Sequence, residues 1–382
     1  MSEIIVVGAG ISGSVIARHL AEQGKKVSIW ERRPHIAGNL YDHIHESGIR
    51  VQDYGPHIFH TQNAELYHYL ARFGQWEPFK LKCMVYMNGR FTPSPFNYQT
   101  IDDYFVAEKA AEIKSHLEAD YPGRDKVTIV EMLKSNDPVV KEYAEFLFNN
   151  DYSLYTAKQW GISPAEIDIS VLSRVPVLLS YNTGYFDDPI QMMPKNGFTA
   201  VIQNILDHKN ITVNLNTDAL DHLAIDTDRG IITVDGEVIK HPVIYTGALD
   251  ELLNYRFGRL PYRSLRFEWE TAECDSIQPA PVVAYPQAPD YTRITEYNKL
   301  PVQPPRGVTV YAREYSVFSN QEQHYEPYYP IPTIQNAQLY SLYRNAVSHI
   351  PNLYLCGRLA DYKYYNIDQA LEKALMLCRE LD

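Results

Sequence analysis

Ile4-Ile5-Val6-Val7 runs directly into Gly8-Ala9-Gly10-Ile11-Ser12-Gly13, and 23 residues beyond Gly8 stands Glu31. The β-branched run reads as a buried parallel strand, and Gly8 supplies the tight turn that ends it. Gly10 lets the backbone at the start of the next helix approach a pyrophosphate, whose charge the helix dipole stabilises, and Gly13 lets helix and strand pack closely. Val15, Ile16, Ala17 and Leu20 are the helix's apolar positions, Gly24 ends it, and Val27-Ser28-Ile29-Trp30 forms a second strand. Glu31 can then accept from a ribose 2′-hydroxyl, which favours an unphosphorylated adenosine ribose, so FAD or NAD over NADP. Glycine-rich turns are common; strand, helix, second strand and acid in this order make the stretch a dinucleotide-binding unit.

Arg32-Arg33-Pro34-His35-Ile36-Ala37-Gly38-Asn39 follows, a basic segment ending in small residues. It resembles the second flavin-contacting stretch of glutathione-reductase-like and amine-oxidase-like flavoproteins, which favours FAD. Those proteins usually carry Gly-Gly where this chain has Ala37-Gly38, so one extra methyl group is expected near the cofactor.

The chain has 382 residues, 45% of them hydrophobic and 21% charged, which suits a globular protein of two or three packed units. Its net charge of −12 disfavours a nucleic-acid partner. No apolar run reaches the roughly 18 residues of a membrane helix, and the first strand leaves no room for a signal peptide, so cytoplasmic residence without a membrane partner is expected. Cys83, Cys274, Cys356 and Cys378 are scattered without a CxxC, which suits buried reduced thiols and no metal site. Most of the 30 tyrosines are expected to be half-buried packing residues.

Further along, Val51 to Thr61 reads as extended and Ala64 to Phe73 as a helix. Asn88-Gly89 between Lys82–Met87 and Arg90–Thr92 signals a hairpin and a second sheet. Thr100 to about Asn150 has helical spacing, and Thr199 to Leu206 reads as another helix. Ile211–Leu215, Ile231–Val234 and Val243–Ala248 read as a return to the nucleotide-binding sheet. Short strands from Arg263 to Ser316 suggest an antiparallel sheet, Leu353–Arg358 a strand into a glycine turn, and Asp368–Leu381 a closing amphipathic helix. The expected fold is therefore α/β: a discontinuous Rossmann-like FAD-binding domain (1–78, 195–248, 331–382) with two insertions. One is an antiparallel β-sheet substrate domain (79–98, 176–194, 249–330); the other is a helical domain with a mobile lid (99–175).

The strings YGPHIFHT (54–61), YTAKQWG (155–161), SRVPV (173–177), MPKNGF (193–198), FGRLPYRSL (257–265), YTRITE (291–296), YYPI (328–331) and CGRLADYKYYNID (356–368) carry a more specific message. Through them the chain resembles, nearly end to end, the bacterial UDP-galactopyranose mutases. The resemblance implies conversion of a UDP-hexopyranose to the furanose with no net redox change, yet only with reduced FAD, whose N5 acts as nucleophile on the anomeric carbon. It also implies a role in surface polysaccharide biosynthesis, a homodimer, and an electron donor such as NAD(P)H or a reductase.

Residue by residue, the resemblance makes Arg174 and Arg293 the cations that hold the departing diphosphate. Guanidinium forks suit this because they bind phosphate oxygens bidentately and stay charged. Arg174 is expected on the lid. Tyr329 and Tyr364 match tyrosines contacting the diphosphate, and Tyr155, Trp160 and Tyr185 match aromatic residues of the nucleotide and sugar site. His57 matches a catalytic histidine near the flavin, and Arg358 a neighbour of the flavin that favours its anionic reduced form. Gly8, Gly10, Ser12, Gly13, Glu31, Arg32, Gly38, Asn39, His57, Arg358 and Asp368 are the expected cofactor contacts.

Two departures bear on the substrate. Asp151 stands where many bacterial members have an aromatic residue of the uracil pocket, and Leu81 where they have asparagine; Asn366 likewise replaces an acid. UDP-galactose is the first candidate, and Leu81 and Asp151 motivate the alternative of UDP-N-acetylgalactosamine, dTDP-fucose or another nucleotide sugar. An amine-oxidase-like redox flavoenzyme is a third reading.

Overall fold

The computed structural model of the protein describes residues 3–160, 175–318 and 325–381. Five parallel strands carry the N-terminal glycine turn, in the spatial order Ile211–Leu215, Val27–Glu31, Ile4–Val7, Val243–Tyr245, Leu353–Leu355. Strand Ile4–Val7 is the switch point: the chain leaves it toward Val27–Glu31 on one side and returns as Val243–Tyr245 on the other. A crevice opens at its carboxyl end, where open α/β sheets bind ligands. Helix Ile11–Glu22 buries Val15, Ile16, Ala17 and Leu20 against this sheet and against Leu371 and Ala374 of the closing helix Ile367–Glu380. The Rossmann-like α/β fold read from the sequence is the fold observed.

A second sheet of seven strands runs Tyr329–Pro330, Tyr262–Ala272, Thr309–Phe318, Arg293–Glu296, Val282–Ala284, Cys83–Met87, Arg90–Ser94. All its pairings are antiparallel except that of Val282–Ala284 with Cys83–Met87. Asn88 and Gly89 both take positive φ, 49° and 78°, so the Asn-Gly hairpin forms as its chemistry demands. The two longest strands, of eleven and ten residues, exceed the short ones expected. Their outer halves carry charged residues such as Arg266, Glu268, Glu270 and Arg313, which pair on the solvent face and interrupt the apolar pattern.

Helices Tyr98–Tyr104, Ala107–Asp120, Ile129–Leu133 and Pro138–Leu147 enclose their own core of Ile101, Ile113, Leu117, Val140, Tyr143 and Leu147. The last of them runs into a π-turn, Phe148–Tyr152, and then helix Ser153–Trp160.

Three elements depart from the sequence reading. Ile231–Val234 does not join the parallel sheet; it is the middle strand of a separate antiparallel sheet with Leu223–Asp226 and Glu237–Ile239. The Asp235-Gly236 turn, with φ of 49° and 83°, folds it onto its immediate neighbour. Ile190–Pro194, in a stretch read only as Pro-, Tyr- and Gly-rich, pairs with Phe59–Thr61 and Trp76–Pro78. Helix Ile334–Val347 was not anticipated: it is capped by Thr333 but buries only Tyr343 and Val347, too few for a visible apolar stripe.

Candidate active site

The crevice at the end of strand Ile4–Val7 is built around glycines that could be nothing else. Gly8 has φ of 99°, and a Cβ there would stand 2.2 Å from Thr246 Oγ1; a Cβ on Gly13 would stand 2.0 Å from the Gly8 carbonyl oxygen. Gly38, φ 55°, faces Gly10 from the opposite wall, and its Cβ would come within 3.1 Å of Gly10 Cα. No side chain caps the first turn of helix Ile11–Glu22, so its N–H groups and its positive end face the crevice. This cradle fits a pyrophosphate approached closely by backbone. Ala37 sits on the crevice wall at φ 75°, a left-handed conformation that ordinarily favours glycine.

Ser12, Glu31, Arg32 and Asn39 all line the crevice. Glu31 is 6% exposed and accepts from the backbone N–H of Ala9 at 2.8 Å and of Arg33 at 2.9 Å. It thus ties the glycine turn to the second strand, and a carboxylate with about four acceptor sites keeps capacity for a ribose hydroxyl. Arg32 is held by Glu251 at 3.2 Å and Glu326 at 3.5 Å. Asp368 is not on the crevice wall. In the first turn of helix Ile367–Glu380 its carboxylate bonds the Gln369 N–H at 2.8 Å, and Asn366, Ile367 and Ala370 face the crevice instead.

A second cavity, of about 470 Å³, meets this crevice at His57, Arg358, Asn366 and Ile367, which line both. His57 Nδ1 lies 2.8 Å from the Gly55 carbonyl oxygen, so Nδ1 carries the proton and Nε2 is left as an acceptor. Burial, reinforced by the charges of Arg358 and Arg293, pushes its pKa down to about 4, which keeps the ring neutral at neutral pH. Arg358 donates to the carbonyls of Tyr365 at 2.7 Å and Tyr328 at 3.3 Å, and its guanidinium carbon lies 5.1 and 5.2 Å from the ring centres of Tyr329 and Tyr364. Those two rings stack at 5.3 Å.

Arg293 and Glu314 face each other across adjacent antiparallel strands. One carboxylate oxygen of Glu314 accepts from Nε at 2.8 Å and lies 2.7 Å from Nη2. Arg293 is therefore a half-buried, paired cation on the cavity wall and not a surface salt bridge. Burial opposes its charge, but Glu314 outweighs burial and raises its pKa further. Arg263, whose guanidinium carbon sits 4.6 Å from the Tyr329 ring centre, is a second cation on this wall. Burial, with the nearby Arg293, lowers its pKa below the usual arginine value. Neither Arg263 nor Glu314 was singled out from sequence, although Arg263 lies inside the FGRLPYRSL string.

Tyr155, Tyr185, Tyr329 and Tyr364 all line the same cavity, as do Leu81 and Asp151. Burial raises the phenol pKa of Tyr155 and of Tyr185, so both hydroxyls stay protonated. Trp160 closes helix Ser153–Trp160, and Arg174 lies outside the described residues. None of the four cysteines is in a disulfide, and among the described residues no group of His, Cys, Asp or Glu could hold a metal ion. Nor is any described helix long and apolar enough to cross a membrane.

A glycine-built dinucleotide crevice that opens at one end into a cavity walled by arginines and tyrosines defines a Rossmann-type dinucleotide-dependent enzyme. Residues 6–73 match the family model of the NAD(P)-binding Rossmann-like domain, and residues 150–364 match that of UDP-galactopyranose mutase. The chain is 32% identical to the UDP-galactopyranose mutase of Mycoplasma pneumoniae, over 99% of this chain and 96% of that one. It is 33% identical to the dTDP-fucopyranose mutase of Escherichia coli, over 98% and 97%. The fold superimposes on a crystal structure of reduced UDP-galactopyranose mutase with a TM-score of 0.72 at 19% identity, covering 100% of this chain and 94% of that one. The chain belongs to the UDP-galactopyranose mutase family and is an isomerase.

Proposed function

We propose that this enzyme interconverts the pyranose and furanose forms of a nucleotide sugar on FAD, with UDP-galactose as the first candidate substrate. The observation that carries this is the junction: the dinucleotide crevice ends at His57 and Arg358, where the arginine-lined cavity begins. A dinucleotide laid along the crevice would present its redox ring to whatever that cavity holds. When bound and reduced, FAD supplies a nucleophilic N5 for the anomeric carbon.

The chain's own residues hold the rest. Arg293, fixed by Glu314, and Arg174 keep the diphosphate bound while it is detached from the sugar, so that it can return. Tyr329 and Tyr364 donate hydroxyl hydrogen bonds to the same group, and Tyr155, Trp160 and Tyr185 line the sugar and base site. His57 Nε2 accepts a hydrogen bond at the ring edge. Arg358 and the N-terminus of helix Ile367–Glu380 set a positive potential there, which favours an anionic ring. Gly8, Gly10, Ser12, Gly13, Glu31, Arg32, Gly38 and Asn39 hold the cofactor, and the three-part domain division described from sequence belongs to this reading. So do a homodimer, a cellular electron donor and a role in surface polysaccharide synthesis.

The likeness to a dTDP-fucopyranose mutase, with Asp151 and Leu81 on the cavity wall, favours a second reading: the same chemistry on another nucleotide sugar. A panel of UDP- and dTDP-hexoses incubated with the dithionite-reduced enzyme, with pyranose and furanose forms separated chromatographically, decides between them. Fastest conversion of UDP-galactose supports the first reading, and fastest conversion of a dTDP-sugar the second. Conversion of none contradicts both.

A further inference from the structure

Asp151 is a carboxyl group on the wall of the substrate cavity to which no described residue hydrogen-bonds. It lies in the π-turn Phe148–Tyr152, a backbone form that recurs at functional sites, and its residue is only 9% exposed. Among the described residues no hydrogen bond or ion pair reaches its carboxyl oxygens. The nearest cation, Lys158, directs Nζ elsewhere, donating to the carbonyls of Tyr285, Ala288 and Tyr291 at 2.6, 2.7 and 2.9 Å. A buried carboxyl left in this state is costly unless something entering the cavity bonds to it.

Its place along the cavity identifies what enters. Tyr152, the next residue, packs edge-on against Phe96 at 5.7 Å within the core of the helices, whereas Arg293 and Arg263 stand on strands Arg293–Glu296 and Tyr262–Ala272 against Glu314 and Tyr329, and no arginine perturbs Asp151 itself. Asp151 therefore sits at the end of the cavity away from the diphosphate cations. Val85 and Phe96, which pack in the same core as Tyr152, supply apolar walls there, and Ser94 and Thr156 are further polar groups of the cavity. With the cofactor junction and the sugar at one end and the diphosphate between, this end receives the nucleobase.

We propose that Asp151 is a specificity-determining residue that reads the imide edge of uracil or thymine, accepting a hydrogen bond from the ring N3–H. This rests on the nucleotide-sugar reading above. Burial pushes the carboxyl pKa up to about 7, so its protonated form is well populated at neutral pH and can also donate to a flanking base carbonyl. The paired contacts replace the aromatic face expected in relatives by hydrogen bonding to the base edge.

The test compares UDP, dTDP, N3-methyl-UDP and inorganic pyrophosphate binding to the FAD-loaded enzyme by calorimetric titration. N3-methyl-UDP lacks the N–H, and pyrophosphate lacks the base. The wild type should bind UDP at least about tenfold tighter than N3-methyl-UDP. Asp151→Leu should bring that ratio to near one while leaving pyrophosphate affinity unchanged. Asp151→Asn, whose carboxamide offers the same acceptor and donor, should keep the ratio within about threefold of wild type. A wild-type ratio near one, or an undiminished ratio in Asp151→Leu, overturns the role of Asp151 alone. Should the wild type bind pyrophosphate but neither UDP nor dTDP, the nucleotide-sugar reading falls with it.

Discussion

Glu314 clamps Arg293 from the neighbouring strand, 2.8 Å from its carboxylate to Nε and 2.7 Å to Nη2, and so leaves the rest of the guanidinium fork to the cavity. An arginine needs this support: long side chains lose rotamer entropy when fixed, and a partly buried cation is costly without a counter-charge. Arg293→Ala should reduce pyranose–furanose conversion by at least about a hundredfold, the scale of losing a preorganised donor to a developing charge. The flavin absorption spectrum should be unchanged. A colourless variant would place Arg293 in cofactor binding instead.

Glu314→Gln keeps the shape of the clamp and removes its charge. Conversion should fall by roughly ten- to a hundredfold, with most of the loss in kcat, because Arg293 would be held less well against the departing diphosphate. Unchanged kcat would mean that strand pairing alone positions Arg293.

Gly13→Ala would set a Cβ 2.0 Å from the Gly8 carbonyl oxygen, backbone against backbone. Neither segment can yield without opening the turn, so the purified variant should lose most of its bound FAD, measured as flavin per chain. Ala37→Gly tests the opposite case. Relief of the left-handed strain at φ 75°, worth about 1–2 kcal/mol, is offset by glycine's greater chain entropy and the lost methyl, so thermal unfolding should shift stability by no more than about 1 kcal/mol.

The contrast between those sites and the clamp explains what the sequence could reveal. The Gly8–Gly13 turn and Glu31 lie within one local unit: Gly8 answers to its own positive φ and Gly13 to the Gly8 carbonyl. The pairing of Arg293 with Glu314 depends on the register of two strands, which glycine and turn signals do not encode. Ile231–Val234 was misassigned for the same reason: a short apolar strand looks alike in either sheet. Helix Ile334–Val347 left no stripe to read because it buries so few side chains, whereas Asp368 and Asn366 differ only in which face of a helix turn they occupy.

His57 makes a signed pH prediction. Its folded pKa, near 4, lies below the ordinary 6.5, so between those values the unfolded chain binds the extra proton and the folded chain does not. This group's contribution to stability is fully present above about pH 6.5 and is lost as pH falls toward 4. The melting temperature of the wild type should therefore fall more steeply over that window than that of His57→Gln. Parallel profiles would mean that His57 is not held neutral.

The central claim is that the cofactor at the His57–Arg358 junction must be reduced, although the reaction leaves no net redox change. The direct measurement is the conversion rate of the preferred nucleotide sugar with and without dithionite under anaerobic conditions. Conversion should require the reductant and stop on reoxidation, without net consumption of reductant per turnover. Equal rates with oxidised FAD would contradict the account.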